Sequence, residues 1–465
     1  MRALARRNGD VSFWDASLGA PTVRPPLDGD RDADVCIVGG GFTGLWTALE
    51  LTRARPALDV VVLERERVGF GASGRNGGWL TPSVAAPREV APAQAAGFAR
   101  AMRASVADVL AVCAEERIDC DAAASGVLRL ARNAAQMARL RAQVAAARAA
   151  GGEPDALVEL DAAALEARVR IAGAQGATWS PHGVRIQPAM LARGLAQAAE
   201  RRGVRIHERT TVRELRPGGG GAGASAAAVT DRGTLRAPVV LSCLEGFSGS
   251  LRGERRRLLP LTSAMVVTEP LPDAAWAAIG WERAELLGDA AHAFVYAQRT
   301  ADGRIALGGR GTYRCGSRSD RAGRVERRTV AWLAARLREL FPAAADAAID
   351  HAWCGVIGVA RDWTASVRFD PRSGLGSAGG YVGYGVGAAQ LAGRTLRDLV
   401  LGEDTELTRL PWVGHRARRW EPEPLRWLGA TGIAALYRAA DRREAASGSA
   451  RTSRLARAAD RIAGR

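Results

Sequence analysis

The segment that most restricts what this chain can fold into runs from residue 34 to residue 64. Val35-Cys36-Ile37-Val38 is a short apolar run. Gly39, Gly41 and Gly44 follow at once, in the spacing G-x-G-x-x-G, and an amphipathic stretch with Leu45, Ala48, Leu49 and Thr52 at helical spacing starts inside them. That pattern stops near Pro56, and a second apolar run, Val60-Val61-Val62-Leu63, ends on Glu64. The order strand, glycine turn, helix, strand predicts a βαβ unit. Each part of the turn has a physical task. Gly39 permits the tight bend, Gly41 lets the backbone approach a pyrophosphate, and Gly44 lets helix and strand pack closely. The helix N-terminus, with Phe42 and Thr43, offers free N–H groups and a positive dipole end to phosphates. Glu64 can accept hydrogen bonds from both hydroxyls of a ribose.

The surroundings matter more than the glycines. With 54 glycines in 465 residues the triplet is expected by chance, and it occurs four times, starting at Gly39, Gly69, Gly218 and Gly374. Only the first lies between an apolar strand and a helix. The second belongs to the run Gly69 to Trp79, too rich in glycine to be strand or helix. It is read as a backbone-exposing loop that wraps a second phosphate or a ring, with Ser73, Arg75 and Asn76 as donors. A nicotinamide dinucleotide gives no reason for such a loop here; a longer flavin dinucleotide does. Arg65 and Arg67 would suit a ribose phosphate, but the Glu64 carboxylate would repel one.

Composition removes other chemistries. All 65 basic residues are arginine and none is lysine. This excludes a Walker-A phosphate loop, pyridoxal-phosphate and Schiff-base catalysis, and a protein kinase. Alanine, arginine and glycine are all abundant, so the absence is read as codon bias. The six cysteines contain no C-x-x-C pair and the five histidines no close pair, so no metal site is expected. The thiols read as reduced, and the N-terminus turns polar at once, so a cytoplasmic protein with no transmembrane segment is expected. Of the net charge of +16, +7 falls in residues 411–465, which read as a solvated helical tail rather than a nucleic-acid surface.

Further along, residues 87–150 read as two or three alanine-rich helices, 188–203 as a helix opened by Pro188, and 204–207 as a strand. Gly218–Gly221 reads as a flexible surface turn, residues 260–312 as strand-rich, and 325–340 as an amphipathic helix.

The sets Val38 to Gly44, Glu64-Arg65, and Gly71-Ala72-Ser73-Gly74-Arg75-Asn76-Gly77-Gly78 resemble the D-amino-acid oxidase (DAO) family of FAD enzymes, and most of all its γ-glutamylputrescine oxidase-like branch. The resemblance extends over roughly residues 11–430. It takes in the strand carrying Val212, which would contact adenine, the segments Tyr296 to Arg304 and Gly308 to Gly311, and the C-terminal loop Gly379 to Val386, in which Gly383, Tyr384, Gly385 and Val386 would meet the flavin. It implies an α/β and α+β fold, with a Rossmann-like FAD-binding domain interleaved with a smaller antiparallel-sheet substrate domain. The FAD domain would use 34–86, 180–246 and 350–400, and the substrate domain 87–179 and 247–349. Residues 1–33 would be an extended arm and 401–465 a basic helical tail. The implied reaction is oxidation of an amine C–H by hydride transfer to flavin N5, giving an imine that hydrolyses to a carbonyl compound. The implied partners are non-covalent FAD, a small-molecule amine, and oxygen or another electron acceptor.

The sequence also departs from that pattern. Ile357 falls where amino-acid oxidising relatives carry an arginine for the substrate carboxylate, which favours an amine without one. Leu241 to Gly246 is atypical, and Glu245 within it has no assigned role. Tyr384 replaces a common histidine or aspartate and either caps the substrate or packs. Cys354 lies near a position of covalent flavin attachment but reads as a buried thiol. Catalytic candidates are Tyr296, Arg310, Asp362 and Tyr384, with Trp79 and Trp353 as further contacts or core. Asp362 is an N-cap, a partner of Arg361 or a holder of a second substrate cation. Without lysine beside the flavin, an oxidase needs another cation, for which Arg310 is a candidate. An oxidase is the favoured reading. The rivals are a dehydrogenase with a non-oxygen acceptor, and a basic binding protein with a vestigial flavin site.

Overall fold

The computed structural model describes residues 4–84, 90–151, 153–219, 225–317 and 322–464. Residues 220 and 221 of the glycine turn, and 87–89 at the start of the alanine-rich stretch, lie outside them.

Val35–Val38 and Val60–Leu63 are parallel neighbours in a six-stranded sheet, and all eight residues are buried. Continuous apolar runs suit strands covered on both faces. The strand order is Arg205–His207, Val60–Leu63, Val35–Val38, Val239–Ser242, Leu375–Gly379, Ser366–Asp370. The first five are parallel, and the last joins antiparallel. The helix Phe42–Ala54 packs against the helix Gly385–Leu401. A Cβ on Gly393 would stand 2.9 Å from Thr47 N, so glycine is what lets the two axes approach. A four-stranded sheet of Val212–Arg216, Ala226–Thr230, Thr234–Ala237 and Arg31–Asp32 lies beside them.

A ten-stranded, mainly antiparallel sheet forms the second body. Its centre is Leu259–Thr268, paired on one side with Ile305–Gly309 and on the other with Ile349–Val359. The helix Arg327–Leu340 covers one face through Val330, Leu333, Ala334 and Leu337.

Two expected boundaries move. Residues 350–359 belong to the ten-stranded sheet rather than the FAD domain, because Ile349–Val359 pairs along nearly its whole length with Leu259–Thr268. The helix Pro92–Glu115 buries Phe98, Met102, Val109 and Val112 in the core shared with Phe42–Ala54 and Gly385–Leu401, not with the substrate sheet. The stretch after it holds strand Val127–Ala131 before the next helix, Ala134–Ala149. The N-terminal arm is not simply extended. Arg7–Asn8 adds an edge strand to Ile349–Val359, and Phe13–Ala16 forms one helical turn that buries Phe13 and Trp14.

The tail forms two helices, Leu425–Ser447 and Arg454–Ala463, anchored on the body. Asp441 accepts hydrogen bonds from His292 N and Ala293 N, both at 2.8 Å. Glu444 meets His292 Nε2 at 3.0 Å, Ser453 N at 2.8 Å and Arg139 Nη1 at 2.9 Å. His292, Asp441 and Glu444 have the residue types of a metal site. Every one of their carboxylate oxygens already accepts from a protein donor, so the cluster is an anchor. Burial pushes the Glu444 carboxyl up, but His292, the Ser453 amide and Arg139 together hold it down at about 2. A depressed acid stabilises the fold above its unfolded pKa of 4.5 and loses that contribution as pH falls toward about 2. Thermal melts should therefore show the wild type losing more stability than Glu444→Gln across that acid range. Parallel curves would remove the anchor from the pH response.

Candidate cofactor and active site

A cleft of about 1120 Å³ opens over the C-terminal ends of the parallel strands, the usual place for a ligand in such a sheet. Of the residues read from sequence, Gly39, Gly41, Phe42, Thr43, Glu64, Arg65, Gly71, Ala72, Ser73, Asn76, Val212, Gly383, Gly385 and Val386 line it. Gly39 has φ +114°, and a Cβ there would stand 2.7 Å from Cys243 O. Glu64 is fixed at the strand end, with Oε2 accepting from Gly40 N at 2.8 Å and Oε1 from Glu66 N at 2.9 Å. Burial raises its pKa. Arg65 lies over the Phe247 ring, 5.2 Å from its centroid. Ser73 Oγ accepts from Phe42 N at 2.8 Å, so the second glycine loop reaches the start of the helix. Gly41 is needed for that approach too, since its Cβ would stand 2.9 Å from Ser73 Oγ.

Gly44, Arg75, Gly77, Gly78 and Tyr384 are not in the lining. Gly44 lies beneath it, where a Cβ would overlap the Gly39 carbonyl oxygen. Arg75 is 2 % exposed and points away, with Nε donating to Phe70 O at 2.6 Å and Nη1 to Cys354 O at 3.2 Å. Gly77 faces the Tyr296 ring, and Gly78 sits at φ +69° against Gln298 and Ile186. Tyr384 is 42 % exposed, just before the helix Gly385–Leu401.

The four catalytic candidates do not converge. Tyr296 is outside the cleft lining, over the Gly77 loop, edge-on to Trp79 at 6.1 Å, with its hydroxyl 3.1 Å from Ser263 Oγ. Burial raises the pKa of its phenol. Arg310 is outside the cleft lining. It donates to His292 O at 2.7 Å and covers the Tyr437 ring at 4.1 Å, so the docked tail sets its place. Asp362 also lies outside. It meets His415 Nε2 at 2.7 Å and caps Thr364 N at 3.1 Å. Its neighbour Arg361 pairs with Glu421 instead. Trp353 is fully buried against Phe13 and Trp14, with Nε1 donating to Arg75 O, and is core. Cys354 faces the helix side of the sheet, its thiol 3.4 Å from Arg324 O, and does not line the cleft.

Sequence reasoning assigned no role to Cys243, Glu245, Phe247 and Val356 of the opposite wall, where they stand with Ile357 and Tyr381. Tyr381 OH is 3.1 Å from Thr43 Oγ1. Glu245, at φ +46°, turns its carboxylate onto the backbone N–H groups of Gly358, Gly380 and Tyr381. Burial pushes its pKa up to about 7 against those donors. For Cys243, Glu245, Phe247 and Tyr381 the available signal was position, since they follow two further parallel strands at the same sheet end, whereas Val356 and Ile357 come from the strand Ile349–Val359 of the other sheet.

The family described as FAD dependent oxidoreductase (DAO) matches residues 34–399. The chain is 30% identical over 427 residues to the gamma-glutamylputrescine oxidoreductase of Escherichia coli (strain K12), covering 88% of this chain and 94% of that one. It is 29% identical over 411 residues to the probable oxidoreductase OrdL of Rhizobium meliloti (strain 1021), covering 86% and 90%. Among solved structures, glycine oxidase from Geobacillus kaustophilus superposes with a TM-score of 0.69 at 23% identity, covering 83% of this chain and 99% of that one. No helix among the described residues is long and apolar enough to cross a membrane.

Proposed function

Because the chain belongs to the DAO family of FAD-dependent oxidoreductases, we propose that it oxidises the C–H bond beside the nitrogen of an amine that carries no adjacent carboxylate. The bound FAD supplies the hydride acceptor, flavin N5. The chain supplies the rest. The glycine turn and the first turn of the helix Phe42–Ala54 would hold the phosphates, and Glu64 would hold the ribose hydroxyls. Val356, Ile357 and Val386 give the cleft apolar wall that keeps water away. The Tyr296 phenol, with its raised pKa, does not remove a proton near neutral pH. The resulting imine hydrolyses to a carbonyl compound in water.

The observation that carries the substrate reading is Ile357. It brings an apolar side chain to the cleft, and Arg65, beside the ribose-facing Glu64, is the only cation in the described lining. A carboxylate brought there would be desolvated without a partner. The name of the gamma-glutamylputrescine relative points to the same substrate class. The oxidase reading keeps oxygen as acceptor. The dehydrogenase reading is favoured by two observations: no lysine in the chain, and Arg310 held by the tail cluster. Mixing the holoenzyme anaerobically with a panel of amines and α-amino acids should bleach the flavin with amines. Bleaching by α-amino acids alone would reject the substrate reading. Admitting air then separates an oxidase, which recolours quickly, from a dehydrogenase, which stays pale.

A further inference from the structure

Among the described lining residues of the cleft, Glu245 is the one carboxylate besides Glu64. It stands between three segments. Its own follows the strand Val239–Ser242 of the parallel sheet. The second is the end of Ile349–Val359 in the other sheet, where Gly358 N donates to Oε2. The third is the loop before the helix Gly385–Leu401, where Gly380 N and Tyr381 N both donate to Oε1 at 3.0 Å. Tyr381 then carries the connection to Thr43 at the start of the nucleotide helix. The surroundings are fitted to this carboxylate. A Cβ on Gly358 would overlap Oε2, and Glu245 accepts a positive φ that a non-glycine residue rarely adopts.

Both oxygens face donors only, so the site is built for the anion, which burial makes the major form only above about pH 7. A glutamine would set an NH₂ against a backbone N–H on one side or the other. We propose that Glu245 is a positioning residue for the cofactor: one fixed carboxylate that holds the Gly380–Tyr381 loop and the Gly358 strand end together around FAD, and that leaves a negative charge in the wall of its cleft. The proposal rests on FAD binding and is independent of which substrate is oxidised.

Two consequences follow from the charge and the tie. Loss of the tie loosens the loop, so FAD is held less firmly. Loss of the charge makes it easier to add electrons to the cofactor, because reduction brings negative charge beside that wall. Glu245→Gln should weaken FAD binding to the apoprotein on the order of 10- to 100-fold, the range for hydrogen bonds to a charged group. At a pH well above 7, where the Glu245 carboxyl is ionised, the FAD bound to E245Q should show a more positive midpoint potential than wild type. The difference should shrink as pH falls below 7, a pH dependence that a purely structural defect would not produce. An E245Q protein with wild-type FAD affinity and potential overturns the proposal. So does one whose apoprotein melting temperature falls while the potential of its residual FAD stays put. Hydrogen exchange on the wild-type protein supplies a second test that needs no variant. The amides of Gly358, Gly380 and Tyr381 should be protected in the holoenzyme, and free exchange at these three positions would refute the tie even if E245Q failed to fold.

Discussion

Gly44→Ala should purify colourless. A Cβ at this position would overlap the Gly39 carbonyl oxygen and stand 3.1 Å from Ile37 Cγ2. The main obstacle is backbone, so no side chain can rotate away from it. The helix Phe42–Ala54 would have to lift from the strand Val35–Val38, whose residues are at most 2 % exposed. Overpacking of this kind costs about 1–3 kcal/mol in stability. FAD binding should fall as well, by roughly 100-fold or more, since the displaced turn is the one that would receive the pyrophosphate. The ratio of flavin to protein absorbance and the apoprotein melting temperature measure the two effects separately. Gly432→Ala is the matched control. It lies in the tail helix Leu425–Ser447 with nothing within 4 Å of a Cβ, and alanine there should be neutral or stabilising by up to ~1 kcal/mol. A yellow, stoichiometric Gly44→Ala protein would show that the close approach of helix and strand is dispensable.

The nucleotide half of the cleft was legible because its parts are contiguous. Strand, turn, helix and Glu64 fall within one βαβ unit, and local periodicity and glycine chemistry suffice to place them. On the opposite wall the C-terminal loop with Gly383, Gly385 and Val386 was legible as a motif, but residues 243–250 and Val356 were not, because only sheet topology brings them to the cleft. Glu245 stood out in the sequence as an anomaly. Its meaning depends on three amides from two distant segments, which no spacing rule contains. Arg310 failed as a flavin-side cation for a related reason. Its surroundings include Tyr437, on a tail that lies outside residues 34–399. The boundary at residue 350 failed because Ile349–Val359 is apolar through most of its length, a pattern that suits either sheet. Only the pairing with Leu259–Thr268 decides between them.

The missing lysines make the second large effect testable. If arginine stands in for lysine through codon bias, most Arg→Lys changes should be nearly silent. Arg418, with a side chain 74% exposed, is such a position, and Arg418→Lys should stay within about 0.5 kcal/mol of wild type. Arg75 should behave otherwise. Among the described residues its guanidinium donates to Phe70 O in the second glycine loop and to Cys354 O in the ten-stranded sheet. It also lies 4.3 Å from the Phe70 ring centroid, and its own carbonyl receives Trp353 Nε1 at 3.0 Å. This one side chain joins the loop to the second sheet in a nearly dry site. Alanine would leave both carbonyls short of a donor and open a cavity, a loss of about 3–5 kcal/mol. Lysine keeps the charge but offers a compact ammonium that cannot both fork to two carbonyls and lie flat on a ring. Arg75→Lys should therefore recover less than half of the alanine loss in denaturant unfolding, and both variants should shed FAD more readily than wild type. Equal stability of Arg75→Lys and wild type would place Arg75 with the arginines that composition alone explains.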